Sequence, residues 1–261
     1  MHSVTTYKDL SYYTGSEYHH KKHLLDLYIP QDTGTCAMLL FVHGGAWSIG
    51  DKSMHEHVGR ALARKGIGTA VINYRLSPEV LYPDHCIDVT RAIQWSMNEA
   101  PHYIGTTGGI CLMGHSAGAH LVALVSLHPE YRKHIPIKFI KGVVCISGIF
   151  DIPALMNTSF GRSIIPPAFG KNPHTWKDAS PVYHVSGKSP PFLVMVAEKD
   201  PVILKAQSLR FHDVVPFSRH YILPGRNHFN SIHKFGKRGD TAASQVVTFI
   251  DDQYRVSSGS L

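Results

Sequence analysis

The sequence predicts an α/β fold, with a mostly parallel central sheet of about eight strands and helices on both faces. Three observations lead there. Short apolar runs alternate along the chain with longer stretches of helical spacing. The run at 37–42 is apolar throughout, as expected of a strand covered on both faces. The stretches between them are long enough for the crossovers that parallel neighbours require.

Residues 23–29 (HLLDLYI) read as a mixed strand ending at Pro30, with a turn over 31–35. Residues 37–42 (AMLLFV) are a buried strand. Residues 52–65 carry apolar positions at helical spacing and stop at Gly66. A strand follows at 68–73 (GTAVIN). A helix covers 83–98, with Pro83 near its start, where a missing N–H does no harm. Residues 109–113 (GICLM) are a strand and 119–125 a helix packed on the sheet. Strands follow at 140–146, 192–196 and 219–223, and helices at 202–214 and 241–254. The stretch 150–190 is rich in Pro, Gly, Ser and Asn and too long for an ordinary connection. It reads as a small cap over the carboxyl edge of the sheet, and the first twenty residues, with four tyrosines, as part of the same cover. The whole chain, 1–261, is expected to be one domain carrying that cap-like insertion.

The totals narrow the function. Of 261 residues, 43% are hydrophobic and 17% charged, a composition that buries a core and is not disordered. A net charge of +7 favours acidic partners, but there is no run of five basic residues and no basic stripe with aromatics. No nucleic-acid partner is expected. No run of eighteen apolar residues exists, so no membrane span is expected, and residues 1–20 lack the apolar segment of a signal peptide. The four cysteines match no zinc spacing and read as free thiols in a reducing compartment, so the expected location is cytoplasmic. Ser186-Gly187-Lys188-Ser189 ends like a phosphate loop, but Val182 holds the first glycine position. His55-Glu56-His57 opens like a zinc-protease helix, but Gly59 replaces the second histidine. No metal and no cofactor are expected.

The chemistry is concentrated in Gly114-His115-Ser116-Ala117-Gly118, a Gly-x-Ser-x-Gly between a strand and a helix. Such a turn is crowded, which explains the glycines, and it presents the serine at the carboxyl end of the sheet. Serine needs a base to take its proton, and the base needs an acid to fix its tautomer. Asp200, just past the strand at 192–196, is the leading acid. Asp151, after the strand at 140–146, is its rival, and Glu198 a weaker one. Of 19 histidines, His228 lies in a turn just past the last strand, on the same rim. His212, His220 and His233 are the alternatives. His43-Gly44-Gly45-Ala46-Trp47 follows the strand at 37–42. The N–H groups of Gly44, Gly45 and Ala117 are candidates to hold the negative oxygen formed when a carbonyl is attacked. Trp47 either packs in the core or lines an acyl pocket, and His115 is a second candidate to contact substrate.

These words, with Asn73-Tyr74-Arg75-Leu76-Ser77-Pro78, Asp200-Pro201 and Asn227-His228-Phe229, resemble the hormone-sensitive-lipase-like branch of the α/β-hydrolases. The resemblance spans residue 25 to the last helix. Within that branch, Gly114 to Leu121, Ser147 to Asp151 and Asp178-Ala179-Ser180-Pro181 are similar to arylformamidases (kynurenine formamidases). Ala46, where those enzymes carry an aromatic, departs from them. The resemblance implies a serine hydrolase acting on small carboxylic esters through an acyl-enzyme, or alternatively on an aryl formamide such as N-formylkynurenine. A binding protein on the same scaffold is a third class, one whose members often lose the serine or histidine retained here. Exposed sheet edges leave a homodimer open.

Overall fold

The computed structural model describes residues 1–31, 33, 35–105, 108–136 and 138–258. The turn expected over 31–35 lies partly outside these. Eight strands form one sheet: β1 (Val4–Ser11), β2 (Leu24–Pro30), β3 (Ala37–Val42), β4 (Ile67–Ile72), β5 (Ile110–His115), β6 (Ile140–Ile146), β7 (Phe192–Ala197) and β8 (Ser218–Leu223). Their order is β1-β2-β4-β3-β5-β6-β7-β8. β2 lies antiparallel between β1 and β4, and every pair from β4 to β8 is parallel. The fold class expected from the sequence is the one found.

Alternation along each strand divides the core between two faces. Leu40, Val42, Leu112 and Cys145 face the helices Asp84–Asn98 and Ala117–Leu127. Leu39, Phe41, Met113 and Ile146 face Glu56–Ala63 and Thr241–Ser258. Both sets are wholly buried, which is why these strands are apolar without alternation. Among the described residues no helix is long and apolar enough to cross a membrane.

Two expectations change. Val4–Ser11 is an edge strand, not part of a cover. Its signal is weak because none of its residues is fully buried and a bulge breaks its register between Tyr7 and Leu10. At that bulge Asp9 adopts φ 56° and its N–H reaches Asp26 at 3.0 Å. The stretch 150–190 is largely helical, with helices Ile152–Met156, Ser159–Phe169 and Pro173–Asp178 and a 3-10 turn, Pro181–His184. The residues that suggest a loop serve as helix caps. Asp151, Thr158 and Asn172 each accept a first-turn N–H, at 3.0, 2.9 and 3.0 Å.

Seven histidines are buried among the described residues, and burial holds five of them neutral: His43, His55, His85, His115 and His120. His120 shows why it stays neutral. Its Nε2–H donates to the Ala179 carbonyl at 2.7 Å, and its Nδ1 accepts the Trp47 indole N–H at 3.2 Å. Burial lowers His43, His85 and His120 from 6.5 to about 4, and His55 and His115 to about 3. The unfolded chain protonates each near 6.5, whereas the folded chain resists until about 4 or 3. The stability gained by keeping them neutral is therefore full above pH 6.5 and is lost as pH falls through 4. Thermal unfolding followed by circular dichroism should show Tm dropping steadily across that window. A Tm flat between pH 6.5 and 4 would contradict the assignment of these rings as neutral.

Candidate active site

Five neighbouring parallel strands, β3, β5, β6, β7 and β8, end on one edge of the sheet, and the loop after each contributes to one cluster. The loop after β5 is the tightest. Ser116 takes φ 54° and ψ −118°, a conformation an L-residue adopts at a cost of roughly 1–3 kcal/mol. It is held there by its N–H, which donates to the Ile146 carbonyl at 2.9 Å, and by the helix it opens. The flanking glycines are dictated by space. A Cβ on Gly114 would lie 2.3 Å from the backbone of Gly118, and one on Gly118 would lie 2.1 Å from the Val42 carbonyl oxygen.

Ser116, His228 and Asp200 form one hydrogen-bonded relay. His228 Nε2 lies 3.0 Å from Ser116 Oγ, and His228 Nδ1 lies 2.9 Å from Asp200 Oδ1. Burial alone would raise the Asp200 carboxyl. Hydrogen bonds from His228, from the Ser147 hydroxyl and from the Ala197 N–H outweigh that and hold it below the usual carboxylate range. An ionised Asp200 accepts a hydrogen bond from the Nδ1–H and so keeps the proton on that nitrogen, which leaves Nε2 with the lone pair that Ser116 O–H can use.

The rivals go elsewhere. Asp151 caps a helix and pairs with Arg210 at 2.8 Å. Glu198 is exposed and accepts the Gly225 N–H. His212 bonds Ser218. His233 stacks on His55. Among the described residues, none of these, nor His220, has a hydrogen bond to Ser116.

The loop after β3 closes over the serine. A Cβ on Gly44 would fall 2.9 Å from the His115 carbonyl oxygen and 3.1 Å from Ser116 Cβ, so only glycine lets this backbone approach Ser116. Gly45 has φ 121°, a region open to glycine. The His43 ring donates from Nδ1 to the Gly44 carbonyl at 2.7 Å. Because a trans peptide sets its N–H opposite its C=O, this turns the Gly45 N–H away from His43. Tyr74 stacks on the His43 ring at 4.6 Å and its hydroxyl donates to the His43 carbonyl at 3.2 Å. Among the described residues, no loop, turn or cap hydrogen bond uses the N–H of Gly44, Gly45 or Ala117.

Two expected substrate contacts are relocated. Trp47 is fully buried, edge-on to His120 and Phe169 at 5.1 and 4.8 Å, so it is a core residue and not the wall of an acyl pocket. Its indole N–H needs a buried acceptor, and His120 supplies it. His115 is 6% exposed. Its Nε2–H donates to the His228 carbonyl at 2.9 Å and its ring lies 5.0 Å from the His228 ring. It braces His228 from behind.

Ser147 is the residue that the sequence did not single out. It sits in the loop after β6, fully buried, with φ 52°. Its N–H donates to the Met195 carbonyl at 2.8 Å and its hydroxyl to Asp200 Oδ2 at 2.5 Å. A short polar residue straight after a buried strand, on the same rim as the acid, is the signal that could have found it. Ser147→Ala should lower kcat about tenfold or more with KM little changed, since it frees Asp200 to turn. It should also move the acid limb of kcat/KM upward, because a carboxylate with one donor fewer is more basic. Steady-state rates across pH check both, and an unchanged profile would remove Ser147 from the site.

The BD-FAE family model matches residues 25–215, which take in the loop after β3, the Ser116 turn and Asp200. The probable carboxylic ester hydrolase LipM of Mycobacterium tuberculosis is 33% identical over 78% of this chain and 50% of its own length. The chain thus spans about half of that relative. The kynurenine formamidase of Drosophila melanogaster is 27% identical over 74% of this chain and 65% of its own length. The crystal structure of esterase B from Lactobacillus rhamnosis shares the fold, with a TM-score of 0.83 at 19% identity over 97% of this chain and 87% of that one. The family match covers most of the sequence and the eight-stranded sheet carries the same architecture, so this chain belongs to the BD-FAE family, in the esterase branch of the α/β-hydrolases.

Proposed function

We propose that the protein is a serine carboxylesterase working through an acyl-enzyme. The observation that carries this is the relay from Ser116 Oγ through His228 to Asp200, at 3.0 and 2.9 Å. Ser116 attacks the ester carbonyl while His228 Nε2 takes its proton. The oxygen that turns negative lies toward the N–H groups of Gly44, Gly45 and Ala117, where each donor is worth about 3 kcal/mol in the transition state. His228 returns the proton to the departing alcohol. Water then repeats the steps and frees the acid. Asp200 stays ionised throughout, holding the tautomer and balancing the imidazolium.

Exposed apolar side chains suit an acyl or aryl group nearby. Phe229 is 71% exposed, edge-on to the His228 ring at 5.7 Å, and Ile49 in the loop after β3 is 70% exposed. The helices 152–184 act in this reading as a small cap, docked through Phe169 on Trp47 and Ala179 on His120. Four free cysteines, three of them buried, fit a cytoplasmic location.

Arylformamidase activity is the second reading, favoured by the formamidase relatives in fly and in Salmo salar. The same relay would cleave a formamide, with His228 protonating an aryl amine. Rates on N-formylkynurenine and on short p-nitrophenyl esters, with Ser116→Ala as the blank, separate the two. Ester kcat/KM well above that for the formamide is the expected result. The reverse order would make the protein a formamidase, and turnover of neither would leave a binding role. In the same assay Asp200→Asn should lower kcat by about 10³- to 10⁴-fold, while Asp151→Asn should not.

A further inference from the structure

A second cluster of chemistry-bearing side chains lies at the far end of the helix that Ser116 opens. His128 follows the last residue of that helix, Asp178 ends the helix Pro173–Asp178, and His184 ends the turn Pro181–His184. Each offers one ligand atom, and these atoms all lie within 4.8 Å of one another. His128 Nε2 is 3.2 Å from Asp178 Oδ1. The two imidazole rings are 4.2 Å apart and tilted by 52°, so they converge without stacking face to face.

Two of the three groups are held from behind. Asp178 Oδ2 accepts the Tyr82 hydroxyl at 2.6 Å, which leaves Oδ1 facing His128. His184 donates its Nε2–H to the Asp178 main-chain carbonyl at 2.6 Å, which fixes its tautomer and leaves a lone pair on Nδ1. Outer hydrogen bonds of this kind orient ligands and set their basicity in metal sites. A cavity of about 490 Å³, lined in part by Tyr82, His128 and Asp178, opens beside the cluster and has room for water.

We propose that His128, Asp178 and His184 bind one divalent transition-metal ion of the zinc class, with water from the cavity in the fourth position. Two imidazoles and a carboxylate are a donor set zinc accepts with one position left open, whereas calcium and magnesium favour oxygen ligands alone. The cost falls on His128. Its Nδ1 accepts the Glu130 N–H at 3.1 Å, so its ring proton sits on Nε2, toward Asp178. Coordination through Nε2 moves that proton to Nδ1 and gives up this bond, a cap on a helix of four residues. The ion ties the segment 173–184 to the main sheet layer. It lies a helix of 11 residues from Ser116, roughly 16 Å, and takes no part in hydrolysis.

Calorimetric titration of the chelator-treated, full-length protein with zinc chloride tests this, run beside His184→Gln and Asp178→Asn. The expected result is saturable uptake of one zinc per chain, with a rise in Tm, and at least tenfold weaker uptake with no such rise in both variants. Their zinc-free Tm shows that each still folds. Ester turnover should be unchanged on zinc removal. No saturable uptake by the parent protein would overturn the proposal. So would equal uptake by both variants, because other histidines would then hold the metal.

Discussion

The site depends on how closely the helix Ala117–Leu127 starts to strand β3. Gly118 lies so near the Val42 carbonyl that a Cβ there would come within 2.1 Å of its oxygen. That approach forces the turn before it, and the turn forces the strained backbone of Ser116. It also carries the loop after β3 onto the serine, where Gly44 has no room for a side chain. Ser116 and the candidate oxyanion donors are therefore set by one packing contact between two backbones. Buried strands on either side keep that contact from relaxing.

The rest of the cluster is reached across the sheet. Parallel strands all end on one edge, so loops far apart in sequence meet there. His228 and Ser116 are separated by 112 positions yet lie 3.0 Å apart. Behind the relay stands a second set of buried polar groups. Ser147 steadies Asp200, His115 braces His228, and His43 with Tyr74 turns the loop after β3. Each such group is buried with a partner, which is what makes it rigid and also what makes it costly to disturb. Arg75 belongs to this structural class. Its guanidinium pairs with buried Asp88, which also meets His23.

Much of this was legible in the sequence, for a physical reason. Fully buried parallel strands read as continuous apolar runs, and crowded turns require glycine, so the sheet and the words around Ser116, Gly44 and His228 stand out. Polar residues that serve other polar residues do not. Ser147 looks like any serine in a loop, and His115 like a residue placed to contact substrate. Trp47 sits beside the site in sequence but turns inward, because its indole N–H finds a buried histidine. Val4–Ser11 was missed since an edge strand with a bulge buries no regular face. The stretch 150–190 hid its helices because Asp, Thr, Asn and Pro mark helix starts as readily as loops.

The central claim is that Ser116 is a nucleophile activated by His228. Intact-mass measurement after exposure to diisopropyl fluorophosphate tests it most directly. A single phosphoryl adduct on Ser116 is expected, absent from Ser116→Ala and strongly slowed in His228→Ala. An unlabelled parent protein, or an adduct that survives in Ser116→Ala, would contradict it.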